Sequence, residues 1–476
     1  MQSREVYLAR FHQYLDRNQM QKNPHQEEGI WWCVQREMES ESLTVGEDDT
    51  CVVNTRRGGI VADEMGLGKT ILMLGLFASN FVRNTLIVVP LPLLNQWKKE
   101  IKRTLGHDVL VYHGSTKNTI TKEMLQESAI VLTTYGALRP SSTDSLYSVK
   151  WNRVIYDEAH HMRNSSSKKY FYGKFLHSDS RWLLSGTPVQ NRIGDLYSLF
   201  HILGYKYKEV FEYETFRHLR NHHILRRTKS SVGIDLPKIH YKNVEVNWKN
   251  DFEKNISEKI HNLVENKLDP KDIHWMDSIG DRKLIQMIRA RQMCVCPRLI
   301  AHKIMPMIKH GILSKEYTSI ATSTSKLDSV VDLVKNRSEN GNKKIIFCTF
   351  HAEIKLIEEK LKEKNIENIG IYTGKLNLKM RQEIIDNEPD ILIMQIQAGC
   401  EGLNLQTYNE VYIVSPHWNP CVEDQAIGRC YRMGQKKETY VYMFNMKSID
   451  EKVNSMDNYI QDVQKNKRML QDELLI

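Results

Sequence analysis

Two glycines one residue apart, followed directly by a lysine and a threonine, make the first chemically suggestive cluster: Ala62-Asp63-Glu64-Met65-Gly66-Leu67-Gly68-Lys69-Thr70. Glycine at 66 and 68 lets backbone N–H groups face phosphate oxygens with no Cβ in the way, and a helix starting at Lys69 would aim its N-terminus at the same anion. Lys69 suits contact with the β- and γ-phosphates of a nucleotide, and Thr70 suits Mg²⁺ through its hydroxyl. The general pattern wants glycine at position 63, where aspartate stands, and the bland alternative is a chance Gly-Lys-Thr on a surface turn. A second cluster, Asp157-Glu158-Ala159-His160, follows the apolar run Val154-Ile155-Tyr156. Acidic residues at the C-terminal end of a buried parallel strand lie where α/β sheets bind ligands. Asp157 suits a place around Mg²⁺, and Glu158 suits orienting or deprotonating an attacking water, although such a pair alone often just caps a helix. A third cluster is Arg429 and Arg432, whose spacing puts both on one face of a helix, as two guanidinium groups reaching a γ-phosphate would need.

Parallel strands must carry these clusters, and the chain has two stretches that read that way. The first holds the runs Gly59–Ala62, Leu86–Val89, Ala129–Leu132, Val154–Tyr156 and Trp182–Leu184; the second holds Ile345–Phe347, Ile391–Ile393, Val411–Val414 and Tyr440–Tyr442. Nearly continuous apolar runs separated by helical spacers are what a sheet covered on both faces requires. The predicted architecture is α/β: one lobe over residues 1–205, an all-helical insertion and linker over 206–325, a second lobe over 326–446, and a C-terminal helix over 447–476.

Length and composition agree with a multi-domain globular chain. It has 476 residues, 41% hydrophobic and 26% charged. A net charge of +9 leans towards an anionic partner such as nucleic acid, weakly, because 67 basic residues face 58 acidic ones. Met1–Leu15 lacks the apolar core of a signal peptide, and no apolar run reaches membrane-spanning length, so the expected setting is soluble and intracellular. The eight cysteines form no C-x-x-C pair. Cys294 and Cys296 with His302 fall short of a four-ligand set, so no structural zinc is expected.

With these residues in view, the chain resembles the Swi/Snf-type ATPases of helicase superfamily 2 over essentially its whole length. Asp63–Thr70 and Asp157–His160 look like motifs I and II. Ser185-Gly186-Thr187-Pro188-Val189-Gln190-Asn191 with Leu196–Leu199 is similar to motif III as that branch writes it. Asn23-Pro24-His25-Gln26 with Gly29 and Trp32 resembles the family's N-terminal motif. Pro90–Trp97 resembles motif Ia, Thr133-Thr134-Tyr135 motif Ib, Gln397–Leu405 motif V, and Asp424–Gln435, after Trp418-Asn419-Pro420, motif VI. Leu225-Arg226-Arg227-Thr228-Lys229 resembles the family's entry into its helical insertion, though by composition it is a basic patch of the kind that faces solvent. Gly428, Cys430 and Tyr431 depart from the family's usual Asp, Ala and His, and Cys400-Glu401 from its Gly-Val; none is a phosphate- or metal-contacting position.

The resemblance implies two RecA-like lobes with ATP in the cleft between them. Gln26 would read the adenine edge, Asp63–Thr70 with Gly402 and Asn404 would bind nucleotide, Thr70 and Asp157 would hold Mg²⁺, and Lys69, Asp157, Glu158, Arg429 and Arg432 would do the chemistry. Gln96, Trp97, Thr134, Tyr135 and Trp418 would touch nucleic acid, although core packing is the simpler role for Trp97 or Tyr135 taken singly. The implied activity is an ATP-driven motor on double-stranded DNA that remodels or displaces bound proteins, with partners in transcription, repair or chromatin machinery. The rival readings are a strand-separating helicase and a silent nucleic-acid adaptor. Arg289–Pro297 resembles members that carry a ubiquitin-ligase RING, but the RING cysteines are missing and no ligase activity is expected. So small a core points to an accessory subunit of a larger machine in the nucleus, or to a compact genome such as that of a large DNA virus, acting in the viral factory or virion.

Overall fold

A computed structural model describes residues 3–38, 42–45, 51–54, 56–139, 145–264, 283–311, 314–399, 403–451 and 453–475. The chain divides into two compact units, Met1–Asp235 with Leu470–Ile476, and Leu236–Met469. A short antiparallel pair, β1 (Ser42–Val45) and β2 (Cys51–Asn54), stands apart from the main sheets.

The sheet of the first unit is wholly parallel. Its strands are β3 (Gly58–Val61), β4 (Thr85–Val89), β5 (Leu110–Tyr112), β6 (Ile130–Thr134), β7 (Trp151–Asp157), β8 (Ser178–Leu184) and β9 (Ile224–Leu225), in the order β5-β6-β4-β7-β8-β3-β9. Side chains alternate across it. Ile60, Leu86, Val88, Val154 and Tyr156 enter one core, and Val61, Ile87, Val89 and Ile155 enter the core on the other face. Burial on both faces explains why these strands read as unbroken apolar runs. Arg153 on β7 is fully buried, and its Nε donates to Glu37 Oε1 at 2.6 Å while Trp182 Nε1 donates to the same oxygen at 2.8 Å. A buried cation needs such a partner.

The second unit repeats the plan with β10 (Ile239–Val246), β11 (Lys343–Cys348), β12 (Ile369–Tyr372), β13 (Ile391–Gln395), β14 (Tyr408–Ile413) and β15 (Thr439–Met446), parallel in the order β10-β15-β14-β11-β13-β12. Ile346, Ile391, Ile393 and Tyr412 face one core; Ile345, Phe347, Leu392, Val411 and Ile413 face the other. The fold class is the expected one, two parallel α/β sheets flanked by helices.

The stretch 206–325 is not all helix. β9 edges the first sheet and β10 edges the second. Ile224–Leu225 is too short to show a period. In Ile239–Val246 the polar residues His240, Lys242, Asn243 and Glu245 dilute the apolar run, as an edge strand permits. The C-terminal charged stretch forms a helix, Met456–Leu475, whose Met456 and Ile460 are buried in the second unit. No helix among the described residues is long and apolar enough to cross a membrane.

Candidate nucleotide site

Parallel strands end at one edge, and three neighbours in the first sheet bring the first two clusters together there. Asp157 at the end of β7 is in register with Leu184 of β8, and Leu184 with Val61 of β3. Beyond these ends lie Glu158, Ser185 and the loop 62–68; Ser185 N donates to Val61 O at 3.1 Å. The loop bends as glycine allows, with φ of 96° at Gly66 and 82° at Gly68, and the helix Lys69–Ser79 starts directly after it. Lys69 Nζ donates to Asp63 O at 2.7 Å and Glu64 O at 3.4 Å. A Cβ on Gly186 would sit 3.4 Å from Lys69 Nζ and 3.6 Å from Met65 N, so the turn after β8 packs directly against the loop. Gln26, in the helix Pro24–Met38, is buried, and its Nε2 would lie 2.9 Å from a Cβ on Gly68. Gln26, the loop and the Asp157–Glu158 pair thus share one end of one sheet.

Aspartate at position 63 has its explanation in the basic segment after β9. Ala62 N donates to Leu225 O at 2.7 Å and Glu64 N to Arg227 O at 2.8 Å, so residues 225–227 run along the start of the loop. Arg227 grips the buried Asp63 carboxylate with both arms of its guanidinium, Nε to Oδ1 at 3.0 Å and Nη2 to Oδ2, and also donates to His25 O. Lys229 pairs with Glu64 at 3.1 Å. The side chains of Asp63 and Glu64 are therefore committed to basic partners, and what these residues offer a nucleotide is backbone. This segment is no solvated patch. Its only advance sign was a carboxylate standing where a phosphate loop ordinarily has glycine.

Burial raises the Asp157 carboxyl to about 6, and the neighbouring Glu158 charge adds to this; a hydrogen bond from Trp97 and the charge of Lys69 pull the other way. Glu158 takes a left-handed backbone, φ 50°, rare for a residue with a side chain and typical of functional sites. Its Oε2 lies 3.2 Å from His160 Nδ1, which is 3.5 Å from Ser185 Oγ. The turn that follows is pinned by Asp195 Oδ2, which accepts from Gln190 N at 3.0 Å and Asn191 N at 2.8 Å. Two adjacent carboxylates, one deeply buried, leave the edge short of positive charge, and Asp157 with the Thr70 hydroxyl are hard oxygen donors of the kind Mg²⁺ takes. The residues fit that ion.

Three residues expected at nucleic acid face inward instead. Trp97, Thr134 and Tyr135 are all buried. The indole N–H of Trp97 donates to Asp157 Oδ2 at 2.7 Å, the Tyr135 hydroxyl donates to Asp157 O at 2.8 Å, and Thr134 Oγ1 lies 3.1 Å from His113 Nδ1. Aromatic rings with one polar tip are core residues when that tip finds a partner, and here the partner is Asp157. Gln96 is exposed at the start of the helix Leu94–Leu105.

In the second unit Arg429 lies in the helix Pro420–Cys430, but that helix ends before Arg432, so the shared helix face is not what relates the two. They remain close enough to repel: burial first, then the Arg429 charge, lowers the Arg432 guanidinium from its ordinary range. Arg429 is buried and Arg432 half-buried, and an anion beside them would ease their repulsion. The helix Met456–Leu475 holds Pro420–Cys430 in place through Arg468, which forks onto Asp424 with two bonds of 2.8 Å, and Gln464, which donates to Glu423 Oε1 at 2.8 Å. Lys467 Nζ donates to Trp418 O at 2.8 Å, and the half-buried Trp418 ring meets Tyr459 edge-on at 6.1 Å. Asn404 is exposed, while Gly402 lies outside the described residues.

The chain matches a family model described as SNF2-related domain over residues 25–327 and one described as helicase conserved C-terminal domain over residues 325–434. It is similar to the probable global transactivator of Orgyia pseudotsugata multicapsid polyhedrosis virus, 28% identical over 93% of this chain and 89% of the viral protein. It is also similar to the human DNA excision repair protein ERCC-6-like, 27% identical over 84% of this chain but only 38% of the human one. The chain thus spans most of the viral relative and well under half of the human one. Among solved structures, the Sulfolobus solfataricus SWI2/SNF2 ATPase core in complex with dsDNA aligns with 95% of this chain and 96% of that one, at 22% identity and a TM-score of 0.40.

Proposed function

The chain belongs to the SNF2-related family, as an ATP hydrolase whose SNF2-related domain is followed by a helicase C-terminal domain, and from that premise we propose that it turns ATP hydrolysis into movement along double-stranded DNA, remodelling or displacing proteins bound there. The observation that carries the reading is the gathering of the loop 62–70, Asp157, Glu158 and the Ser185–Thr187 turn at one sheet edge. Backbone N–H groups of the loop and Lys69 bind the phosphates, Gln26 reads the base, and Glu158 orients the attacking water. Arg429 and Arg432 supply the positive charge that the transition state needs. Thr70 and Asp157 would hold Mg²⁺, which when bound neutralises phosphate charge.

The name of the human relative and the net charge of +9 support DNA as the polymer, and the wording of motif III and the Trp418–Gln435 block supports the duplex. Binding through phosphates makes the affinity fall with salt and depend little on sequence. The match to a viral protein supports a compact viral form of such a motor.

The test is steady-state ATPase activity without nucleic acid and with duplex DNA, single-stranded DNA or duplex RNA, with Glu158→Gln as the contamination control. Stimulation by duplex DNA alone is the expected result. Stimulation mainly by single strands or RNA would identify a strand-separating helicase instead. Absence of Glu158-dependent hydrolysis in every condition would point to a silent adaptor or a missing activating partner.

A further inference from the structure

Trp97 and Tyr135 contact a single residue from opposite ends of its bonding capacity. The Trp97 indole N–H donates to Asp157 Oδ2 at 2.7 Å, Glu158 N donates to Oδ1 at 2.9 Å, and the Tyr135 hydroxyl donates to the Asp157 carbonyl at 2.8 Å. Each carboxylate oxygen thereby has one lone pair fixed, which sets the rotation of the group and the direction of the lone pairs that remain. Burial makes these bonds consequential, since Trp97 is 1% exposed, Tyr135 4% and Asp157 8%.

Both rings are also joined to surface that is open. Trp97 lies in the first turn of the helix Leu94–Leu105, where Asn95, Gln96, Lys98 and Lys99 are exposed around it. Tyr135 follows β6, its backbone N donates to Val89 O at 3.3 Å at the end of β4, and the exposed Gly136 comes next. From each segment a hydrogen bond reaches Asp157.

We propose that Trp97 and Tyr135 are positioning residues that hold Asp157 in the orientation Mg²⁺ requires and relay nucleic-acid engagement of the adjoining surface, around Gln96 and Gly136, to the hydrolysis site. This rests on the ATPase reading of that site. The surface-exposed neighbours touch the polymer; Trp97 reaches the Asp157 carboxylate and Tyr135 the Asp157 carbonyl. A motor stimulated by its track needs such a link, because the track-binding groups and the phosphate-binding groups lie on different segments.

The test uses Tyr135→Phe, which keeps the ring and removes only the hydroxyl donor, and Trp97→Phe, which removes the indole N–H with part of the ring, both in the full chain. A fluorescent ADP analogue is titrated in EDTA and in Mg²⁺, a readout that needs no turnover. Loss of a hydrogen bond to a charged acceptor weakens what depends on it by roughly 10- to 100-fold. Trp97→Phe is expected to lose about tenfold or more of the Mg²⁺-dependent tightening while affinity in EDTA stays as in wild type, with Tyr135→Phe following in the same direction. The duplex-stimulated kcat falls with it, whereas duplex affinity by anisotropy is unchanged. A fall in duplex affinity matching the fall in kcat would show that Trp97 contacts DNA after all, and full retention of the Mg²⁺ effect in both variants would leave the rings a packing role only; either result overturns the proposal. Failure of the ATPase reading itself shows separately, as wild-type protein without Lys69-dependent hydrolysis.

Discussion

Replacing Arg227 by methionine should damage the first unit more than loss of a surface arginine could, and the amount follows from the burial of its partner. The Asp63 side chain is 1% exposed and the Arg227 side chain 12%, and their contact is two-pronged. Removing one member of a buried pair leaves the other charge without compensation, at about 3–5 kcal/mol. Partial exposure of the guanidinium argues for the lower end, about 3 kcal/mol. Replacing both, Asp63→Asn with Arg227→Met, removes the stranded charge and should return the protein to within about 1–2 kcal/mol of wild type. The measurement is urea unfolding of wild type, both single variants and the double variant, read on the transition that ADP stabilises, which identifies the first unit. Because Asp63 O accepts from Lys69, the single variants should also raise the KM for ATP. A loss below about 1 kcal/mol in Arg227→Met, or single losses that simply add in the double variant, would refute the claim that this pair holds the loop.

Three further outcomes are expected. Gly68→Ala forces a side chain into a left-handed backbone at φ 82° and against Gln26, so the KM for ATP should rise about tenfold; steady-state kinetics showing wild-type KM would remove Gly68 from the site. Arg432→Gln should lower kcat by ~10³-fold with ADP binding retained, and equal losses in both would make Arg432 a ground-state contact instead. Burial raises Glu423 from 4.5 to about 7, so its contribution to stability is complete below pH 4.5 and is lost as the pH rises through 7, with a slope of at most about 1.4 kcal/mol per pH unit. Glu423→Gln, which keeps the acceptor used by Gln464, should flatten the stability profile between pH 4.5 and about 7; parallel profiles for variant and wild type would exclude Glu423 as the source.

The residues proposed to meet a phosphate stood out in the sequence because chemistry restricts their types. Gly66, Gly68, Lys69 and Thr70 after a strand leave few other uses, and the sheet puts Asp157 and Glu158 beside them. Strands buried on both faces were equally legible. What stayed hidden depends on contacts made far along the chain. Nothing local in Trp97 tells whether its indole faces a polymer or a carboxylate 60 residues on. Thr134 and Tyr135 close a strand, where one residue more or less decides between inside and outside. Arg432 was placed on a helix by its spacing from Arg429, but Cys430 ends that helix, and their nearness comes from the bend that follows.

The aspartate at position 63 has a mechanical consequence. A glycine there would leave the phosphate loop to its own backbone. Asp63 and Glu64 instead tie it, through Arg227 and Lys229, to a segment 164 and 165 residues further on. That segment then makes a tight turn, with Thr228 N donating to Ser231 Oγ at 2.9 Å and Ile234 N to Lys229 O at 3.2 Å, and the first unit ends at Asp235. The chain that leaves the first unit for the second is thus fastened to the loop proposed to hold the nucleotide, less than ten residues before it departs. Under the proposed motor function, a pull on that connection bears on Asp63 and Glu64, and a rearrangement of the loop bears on the connection.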